Sequence, residues 1–507
     1  MSQRGTRTAA LTIGALLALT GCSTTTSGDT ADTGGAAERT IEVAGQYPIE
    51  DLDPHGVQGA SAATGLSSKA IFSRLVQPDP DGTIVGDLAI DWTVDDDATE
   101  WVFTLRDDLV FSDGTPVTSA DVVASFERLA AGDSPLAPSF ADIVATADGD
   151  ATVVFTAPAP DPALAGKLTQ FFVLPASAGA DPAAFFADPV GSGPFTVETF
   201  VPGEALELAR NENYWGDHAR VASVRISDIP EMAARLTALR TGEVDLTWGV
   251  PDDQLEPLMT ADDLVVETVP STLVYTMWFN SSTPALADAA VRRALWKAVD
   301  FETIIATLNP ETGEPAKSPV APVVFGYAPQ EPVAFDPDAA RDELAAAGFD
   351  FAGPPLRLHF SGAQFRPFLQ AVVSDLTEVG VPVELLEKEQ AVFTEDLLAL
   401  NWDINFQQVG AATYDAATNL GRLYPCAAGR NGYCNEELDA ALLEGNTSND
   451  PEVRQDAYRR ATEIIWSEAV GMYPMQVKLA YAWRGDLEGV TPDPSGFPDF
   501  STIEIAE

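Results

Sequence analysis

The chain has 507 residues, of which 46% are hydrophobic, a proportion typical of a globular protein large enough for two or three domains. It carries 77 acidic and 28 basic residues, so its formal net charge at neutral pH is −49. This charge excludes nonspecific binding to nucleic acid as a main activity. It can reflect a bias toward cationic solutes or an acidic surface adapted to habitat, and we favour the second interpretation.

The first residues are typical of an export signal. Arg4 and Arg7 precede an apolar run over 9–19, which is about half the ~20 residues that a membrane-spanning helix needs. The sequence that follows, LTGC, resembles a bacterial lipobox, in which cleavage precedes the cysteine and its thiol is lipidated. We therefore predict a signal peptide over 1–21 and a lipid anchor at Cys22. The alternative is an ordinary secretory peptide with an incidental cysteine.

The segment after this cysteine has the composition of a flexible tether. Residues 22–40 are rich in Ser, Thr, Gly and Asp and show no apolar periodicity, so they cannot bury a core. No later apolar run approaches the length of a membrane span. We expect a globular body held by this tether outside the membrane.

Secondary-structure signals are clear in the first half of the body. Alternation of large apolar residues over 100–105 predicts a strand. Thr118 and Asp121 have the spacing of a capping box, which predicts a helix that begins after Thr118. Apolar alternation on both sides of Pro202-Gly203 predicts a hairpin.

The second half is dominated by helix signals. A helix is predicted from Pro230 to a C-cap at Gly242. Asp288, Asp300 and Asp336 each precede an apolar-periodic run and are predicted N-caps. Mixed strand and helix signals without a fixed repeat predict an α/β fold.

The remaining cysteines and the histidines bear on disulfide and metal chemistry. Cys426 and Cys434 are close in the sequence of an exported protein, so we predict that they form a disulfide. His55, His218 and His359 are far apart and no CxxC motif occurs, so we predict no metal site and no cofactor.

Six blocks in the body, taken in order, carry a resemblance to a known family. They are DGTIVGDLAIDWTVDDDATEWVFTLRDDLVFSDGTPVTSADVVASFERL, GSGPFTVETFVPGEALELARNENYWG, LRTGEVDL, MWFNSSTPALADAAVRRALWKAVD, FDPDAARDELAAAGF and NGYCNEELDAALLEG. From about residue 41 to 485 the chain resembles the extracellular solute-binding proteins of family 5. These are the dipeptide, oligopeptide and nickel binders of ABC importers.

The resemblance implies a two-lobed clamshell of the type II periplasmic-binding-protein kind. Lobe I would comprise residues 41–275 and 471–507, with an extra subdomain over about 91–190, and lobe II would comprise 276–470. The chain would cross between the lobes near 275 and 470, and these crossings would be the hinge. The ligand would lie in the cleft between the lobes, which closure shields from water.

The resemblance also indicates how a peptide would be held. Many peptide-binding members carry Trp-x-x-Asp-Tyr after the strand that holds DINFQQ here, and that aspartate binds the peptide amine. This chain has Val409 at the tryptophan position and Ala412 at the aspartate position. Asp415, three residues on, is the candidate replacement, and this departure weakens the case for free peptides.

Further ligand contacts are predicted on less specific grounds. Arg366 precedes a helix near the place where dipeptide binders have an arginine that binds the peptide carboxylate. The alternative is that Arg366 is a surface residue at the start of a helix. Trp248, Trp278, Phe406 and Tyr414 are candidate stacking walls at strand ends, or core residues.

The functional prediction is a lipid-anchored, monomeric binding protein on the extracellular face of the bacterial membrane. It would deliver a small solute, a peptide first of all, to the permease and ATPase of an ABC importer. An oligosaccharide or a metal chelate is the alternative ligand. A secreted hydrolase is disfavoured because no GxSxG, HExxH or Walker A motif occurs. The sequence does not distinguish a ligand sensor that takes no part in transport from a binding protein that delivers its ligand to an importer.

Overall fold

The computed structural model describes residues 39–506 of the chain. The predicted signal peptide over 1–21, the lipidation site Cys22 and nearly all of the tether lie outside the described residues and stay predictions. Within the described part, no helix is both long enough and apolar enough to cross a membrane.

The strands, in chain order, are these: β1 (Thr40–Gly45), β2 (Ser73–Arg74), β3 (Val76–Pro78), β4 (Ile84–Gly86), β5 (Ala89–Val94), β6 (Glu100–Leu105), β7 (Val144–Asp148), β8 (Thr152–Thr156), β9 (Phe172–Val173), β10 (Phe195–Val201), β11 (Ala205–Arg210), β12 (Ser223–Asp228), β13 (Leu246–Trp248), β14 (Leu264–Phe279), β15 (Gly313–Pro315), β16 (Leu356–Phe360), β17 (Val383–Glu387), β18 (Ile404–Val409), β19 (Gly471–Met472), β20 (Met475–Arg484), β21 (Leu487–Glu488) and β22 (Glu504–Ile505).

The α-helices, in chain order, are these: α1 (Ala62–Ile71), α2 (Ser119–Ala131), α3 (Leu164–Leu168), α4 (Pro182–Phe185), α5 (Met232–Thr241), α6 (Asp252–Met259), α7 (Ala289–Lys297), α8 (Phe301–Leu308), α9 (Pro337–Ala346), α10 (Arg366–Glu378), α11 (Gln390–Leu398), α12 (Leu420–Leu423), α13 (Glu436–Thr447) and α14 (Pro451–Ser467).

A large mixed sheet runs through the body in the order β10-β11-β12-β1-β13-β20-β14-β18-β16-β17. Its longest strand, β14, pairs with β20 from Leu264 to Pro270 and with β18 from Val274 to Phe279. The predicted chain crossing near residue 275 therefore falls where β14 changes its partner. One strand thus joins the two halves of the sheet.

A second, four-stranded antiparallel sheet has the order β5-β6-β8-β7. Trp101, Phe103 and Leu105 of β6 are buried, which fits the predicted alternation. Phe126 of α2 packs edge-on against Phe155 of β8, so this helix covers one face of the sheet.

Three hydrophobic clusters hold most of the large buried side chains. One draws on residues 274–477, a second lies within 75–173, and a third combines residues 41–72 with 172–246 and 481–503. The third cluster brings the C-terminal segment back onto the first part of the chain. The exact lobe boundaries given above stay predictions.

Most of the local predictions are confirmed. Helix α2 begins after Thr118 with a complete capping box, strands β10 and β11 form the hairpin, and Gly242 ends α5 with a φ of 76°. Asp288, Asp300 and Asp336 each accept a backbone N–H at the start of a helix. Helix α5 starts at Met232 rather than at Pro230, because Glu231 keeps an extended backbone.

Candidate functional site

A cavity of about 190 Å³, called here the inner cavity, lies between the early part of the chain, the C-terminal segment, the middle of β14 and the loop after β18. Its polar and charged lining comes from widely separated positions. These side chains are Ser61, Lys69, Arg74, Thr169, Gln170, Thr272, Tyr414, Asp493 and Ser495.

A bulge in β14 brings Thr272 to the inner cavity. The pairing of β14 with β20 is interrupted between Pro270 and Val274, and the Ser271 hydroxyl donates to the Val477 carbonyl at 2.7 Å. Bulges redirect side chains that a regular strand would send to the opposite face. The bulge therefore supplies a hydroxyl at the point where β14 changes its partner.

The loop after β18 brings Tyr414 to the same cavity. Tyr414 has a φ of 57°, and its carbonyl accepts a hydrogen bond from the Phe325 amide at 2.9 Å. The side chain is 3% exposed, and its hydroxyl makes no well-aligned hydrogen bond within the described residues. Burial, then the nearby Asp493 carboxylate, raises the pKa of this hydroxyl against a smaller lowering by Ser495, so it stays protonated and can donate.

Lys69 and Asp493 form an ion pair at the cavity wall. Lys69 Nζ lies 2.6 Å from Asp493 Oδ2 and also donates to the Phe497 carbonyl at 2.8 Å. Burial alone would raise the pKa of Asp493, but the charge and hydrogen bond of Lys69 and the hydrogen bonds from Ser495 lower it. This carboxylate is therefore ionised and already has a cationic partner.

Arg74 is the other cation at the inner cavity. Its Nη1 donates to the Thr169 carbonyl at 3.1 Å and its Nη2 donates to Gln77 Oε1 at 3.2 Å. The guanidinium carbon lies 5.5 Å from the centre of the Phe172 ring. Both contacts are to uncharged oxygens, so the guanidinium keeps donors for another partner.

A larger cavity of about 770 Å³, called here the outer cavity, continues from the inner one. The two share Leu136, Gln170 and Ala412 in their walls. Two charged groups of the outer wall, Lys167 and Asp161, pair with each other at 2.6 Å. Together the cavities form one cleft with a narrow inner end and a wide outer end.

The two sides of this cleft touch at several points. Gly166 lies so close to Thr413 that a Cβ added at Gly166 would lie 2.5 Å from the Thr413 carbonyl oxygen. Asn449 Nδ2 donates to the Asp95 carbonyl at 2.8 Å. These contacts close the structure around the cleft.

Asp415, the predicted amine acceptor, lies next to Tyr414 but is already paired. Arg454 Nη2 lies 2.8 Å from each oxygen of the Asp415 carboxylate, and both side chains are buried. Burial would lower the pKa of Arg454, but the charge of Asp415 raises it. The geometry assigns Asp415 an internal partner.

The other predicted ligand contacts lie away from the inner and outer cavities. Arg366 pairs with Glu387 at the surface, in keeping with the alternative of a surface arginine. Trp278 and Phe406 are 1% exposed and belong to a hydrophobic cluster, and Trp248 packs against another. Their placement favours the core alternative; of the four aromatic candidates, Tyr414 alone lines the cleft described here.

Comparison with known families identifies the chain. The family model described as "Bacterial extracellular solute-binding proteins, family 5 Middle" matches residues 83–431, more than half of the chain. The chain belongs to family 5 of the extracellular solute-binding proteins. The predicted family is confirmed.

Relatives of this family 5 protein cover nearly its whole length. The probable D,D-dipeptide-binding periplasmic protein DdpA of Escherichia coli (strain K12) is 28% identical over 448 residues, which is 83% of this chain and 86% of that protein. The crystal structure of the ABC transporter substrate-binding protein CtaP from Listeria monocytogenes matches with a TM-score of 0.84 and 22% identity, over 93% of this chain and 100% of that one.

A further solved structure establishes the same fold. NikA from Brucella suis, in complex with Fe(III)-EDTA, matches with a TM-score of 0.83 and 23% identity, over 92% of this chain and 100% of that one. The predicted fold class, an α/β type II periplasmic-binding-protein fold, is confirmed.

Several cleft residues of this family 5 protein carry no signal in the local sequence. Lys69 and Asp493 are separated by 424 residues, and Arg74 follows an apolar run in a short strand. Only the assembled fold brings them to one cavity. Thr272 depends on a bulge that the alternation around it does not predict.

Proposed function

We propose that this family 5 protein captures a small solute in the cleft formed by the inner and outer cavities and delivers it to an ABC importer. The observation that carries the proposal is the inner cavity, whose walls combine α1, the Arg74 strand and the C-terminal loop with Thr272 and the Tyr414 loop. Ligands favour such clefts between parts of a chain that move relative to each other. The similarity to CtaP, which is an ABC transporter substrate-binding protein, supports the importer role.

A peptide is the first ligand class of this proposal. The similarity to DdpA, a probable D,D-dipeptide-binding protein, supports it. A metal chelate is the second class, and the Fe(III)-EDTA complex of NikA supports it. The pairing of Asp415 with Arg454 weighs against capture of a peptide amine by Asp415, because that carboxylate is already occupied.

Closure of the cleft on the ligand is part of the proposal. The hinge would lie near residues 275 and 470, as expected from the sequence. Only the closed arrangement would contact the ligand from both sides, so binding would favour closure. X-ray scattering should show compaction when a retained ligand is added, and an unchanged radius of gyration would refute the mechanism.

The proposal also includes a lipid anchor at Cys22, for which the sequence before the cysteine is the support. Wild-type protein from cells grown with an alkyne-bearing fatty acid should carry the label, whereas Cys22→Ala should not. A wild-type protein without the label would refute the anchor.

Mass spectrometry of the body, residues 24–507, tests the ligand assignment. The protein is purified, denatured, and its released small molecules are identified. A peptide mixture supports the first ligand class, and a chelate or sugar supports a non-peptide solute. Recovery of the reacted form of an added solute would indicate a hydrolase, whereas binding without turnover supports capture.

A further inference from the structure

The charge of the cleft is opposite to that of the whole chain. Charged residues on the walls of the inner and outer cavities are four bases and two acids: Lys69, Arg74, Lys167, Arg422, Asp161 and Asp493. The whole chain has 77 acids and only 28 bases. An excess of positive charge in this cleft is therefore not a consequence of composition.

Both acids of the cleft are occupied by the two lysines. Lys69 pairs with Asp493 at 2.6 Å, and Lys167 pairs with Asp161 at 2.6 Å. Neither carboxylate is available as the main partner of a cationic ligand. The charge that remains is therefore that of the two arginines.

Neither arginine forms a side-chain ion pair among the described residues, although the charge of Arg74 acts on the buried Asp87 carboxylate, which accepts the Arg74 backbone N–H at 2.8 Å. Arg74 donates to the Thr169 carbonyl and to the Gln77 amide oxygen. Arg422 donates to the Thr418 carbonyl at 3.0 Å. Arg74 is half-buried at the inner end of the cleft and Arg422 is exposed on the outer wall.

The geometry around Arg74 suits an acidic group. A guanidinium has five N–H donors in a planar fork that matches the two oxygens of a carboxylate, and contacts within the described residues use two of them. The Phe172 ring limits the movement of the guanidinium. The buried Tyr414 hydroxyl, which has Ser495 nearby but makes no well-aligned hydrogen bond within the described part of the chain, lines the same cavity and can donate to the same group.

We propose that the ligand of this cleft is an anion whose acidic group binds Arg74 and the Tyr414 hydroxyl, with Arg422 as a second positive site on the outer wall. The inference rests on the proposed function, since it names the ligand class of the same cleft. It also excludes a free cation as the preferred ligand, because both carboxylates of the cleft walls are paired.

A matched set of four probes tests this charge preference. The set is N-acetyl-Ala-Ala (anion), Ala-Ala (zwitterion), Ala-Ala amide (cation) and N-acetyl-Ala-Ala amide (neutral), which share one backbone. Each is added to the purified body in a thermal-shift assay, beside mass spectrometry of molecules that co-purify. We expect the anion to raise the unfolding temperature more than the other three probes do, or an acidic molecule to co-purify with the protein.

Variants connect the preference to Arg74. Arg74→Gln should weaken binding of the anion, or of the co-purified acidic molecule, by roughly 10- to 100-fold, as expected for the loss of a charge-assisted hydrogen-bond pair. Arg74→Lys should retain part of the affinity. Arg240→Gln removes the same charge from the exposed face of α5, away from both cavities, and should bind as the wild type does.

The outcomes separate this inference from the proposed function. Preferred binding of the zwitterion, the cation or the neutral probe, or unchanged anion binding by Arg74→Gln, overturns the inference and leaves solute capture standing. A protein that co-purifies with nothing and binds no probe of any charge overturns the proposed function, and the inference with it. Circular dichroism of Arg74→Gln without ligand distinguishes lost binding from lost folding.

Discussion

Gly166→Ala should weaken ligand binding while leaving the unliganded body folded. Gly166 lies in α3, where its backbone faces Thr413 across the cleft. An added Cβ would lie 2.5 Å from the Thr413 carbonyl oxygen, whereas ordinary van der Waals contact starts at 3.4 Å. The two sides would therefore have to separate by about 0.9 Å at this point.

The magnitude follows from two opposing effects. Overpacking by one methyl group costs about 1–3 kcal/mol in a closed structure, which corresponds to roughly a 5- to 150-fold loss of affinity. In the proposed open arrangement the contact would be absent, and alanine is up to about 1 kcal/mol better than glycine inside a helix. The variant should therefore bind more weakly but unfold no more easily than the wild type when no ligand is present.

Isothermal titration with the solute identified by mass spectrometry measures the affinity, and thermal unfolding without ligand measures the stability. Gly179→Ala is the matched control, because a Cβ at Gly179 would meet nothing within 4 Å. Wild-type affinity in Gly166→Ala would show that the Thr413 contact is not part of the bound state. A large loss of unliganded stability would show instead that the contact is permanent, which contradicts closure on the ligand.

Three further changes should alter stability. Asp415→Asn leaves Arg454 buried without its counter-charge and should lower the free energy of unfolding by roughly 3 kcal/mol, measured by urea unfolding. Joint replacement of Asp415 by Leu and Arg454 by Met should recover most of this loss. An unchanged unfolding midpoint for Asp415→Asn would contradict the pairing. Burial, then the charge of Arg128, lowers the pKa of His55 to about 4, below its unfolded value of about 6.5, so this residue's contribution to stability should be lost as pH falls from about 6.5 to 4. The loss should reach about 3 kcal/mol by urea unfolding, and His55→Gln should flatten this part of the profile; equal slopes would refute the assignment. Replacing Cys434 with Ser removes the disulfide to Cys426 and should lower the free energy of unfolding by about 2.5 kcal/mol, because the unfolded chain gains loop entropy. The variant is compared with the wild type in urea unfolding without reductant. Thiol labelling of the native wild type would disprove the bond.

Elements set by local chemistry were predictable from the sequence. The capping box at Thr118 and the N-caps at Asp288 and Asp336 depend on contacts within a few residues, and each is present. The family resemblance supplied the fold, which no local pattern determines. Its transfer to individual ligand contacts was weaker, because the sequence does not show that Asp415 has an internal partner 39 residues away.

The family resemblance predicted a cleft and Tyr414 in its wall, but most of the charged side chains that line the cleft could not be predicted from the sequence. Lys69 and Asp493 meet across 424 residues, and their pairing leaves Arg74 as the inner-cavity cation that forms no side-chain ion pair among the described residues. The net charge of the chain is opposite in sign to the excess charge of the cleft walls. Charge at a binding site is decided by which groups pair, and pairing is a property of the folded structure.

The opposite signs of the chain and the cleft lead to a prediction about kinetics. A net charge of −49 repels an anionic solute at long range, whereas Arg74 attracts it within a few ångströms. Salt screens exposed charges beyond about 10 Å at 0.1 M but screens a half-buried contact much less. The association rate of an anionic ligand should therefore increase with salt, while its dissociation rate changes little. Stopped-flow measurements at about 0.02 M and 0.3 M sodium chloride test this, with a neutral ligand analogue as the control. An association rate that decreases with salt would show that the outer field already attracts anions, and the surface acids would then be too far from the cleft to oppose capture.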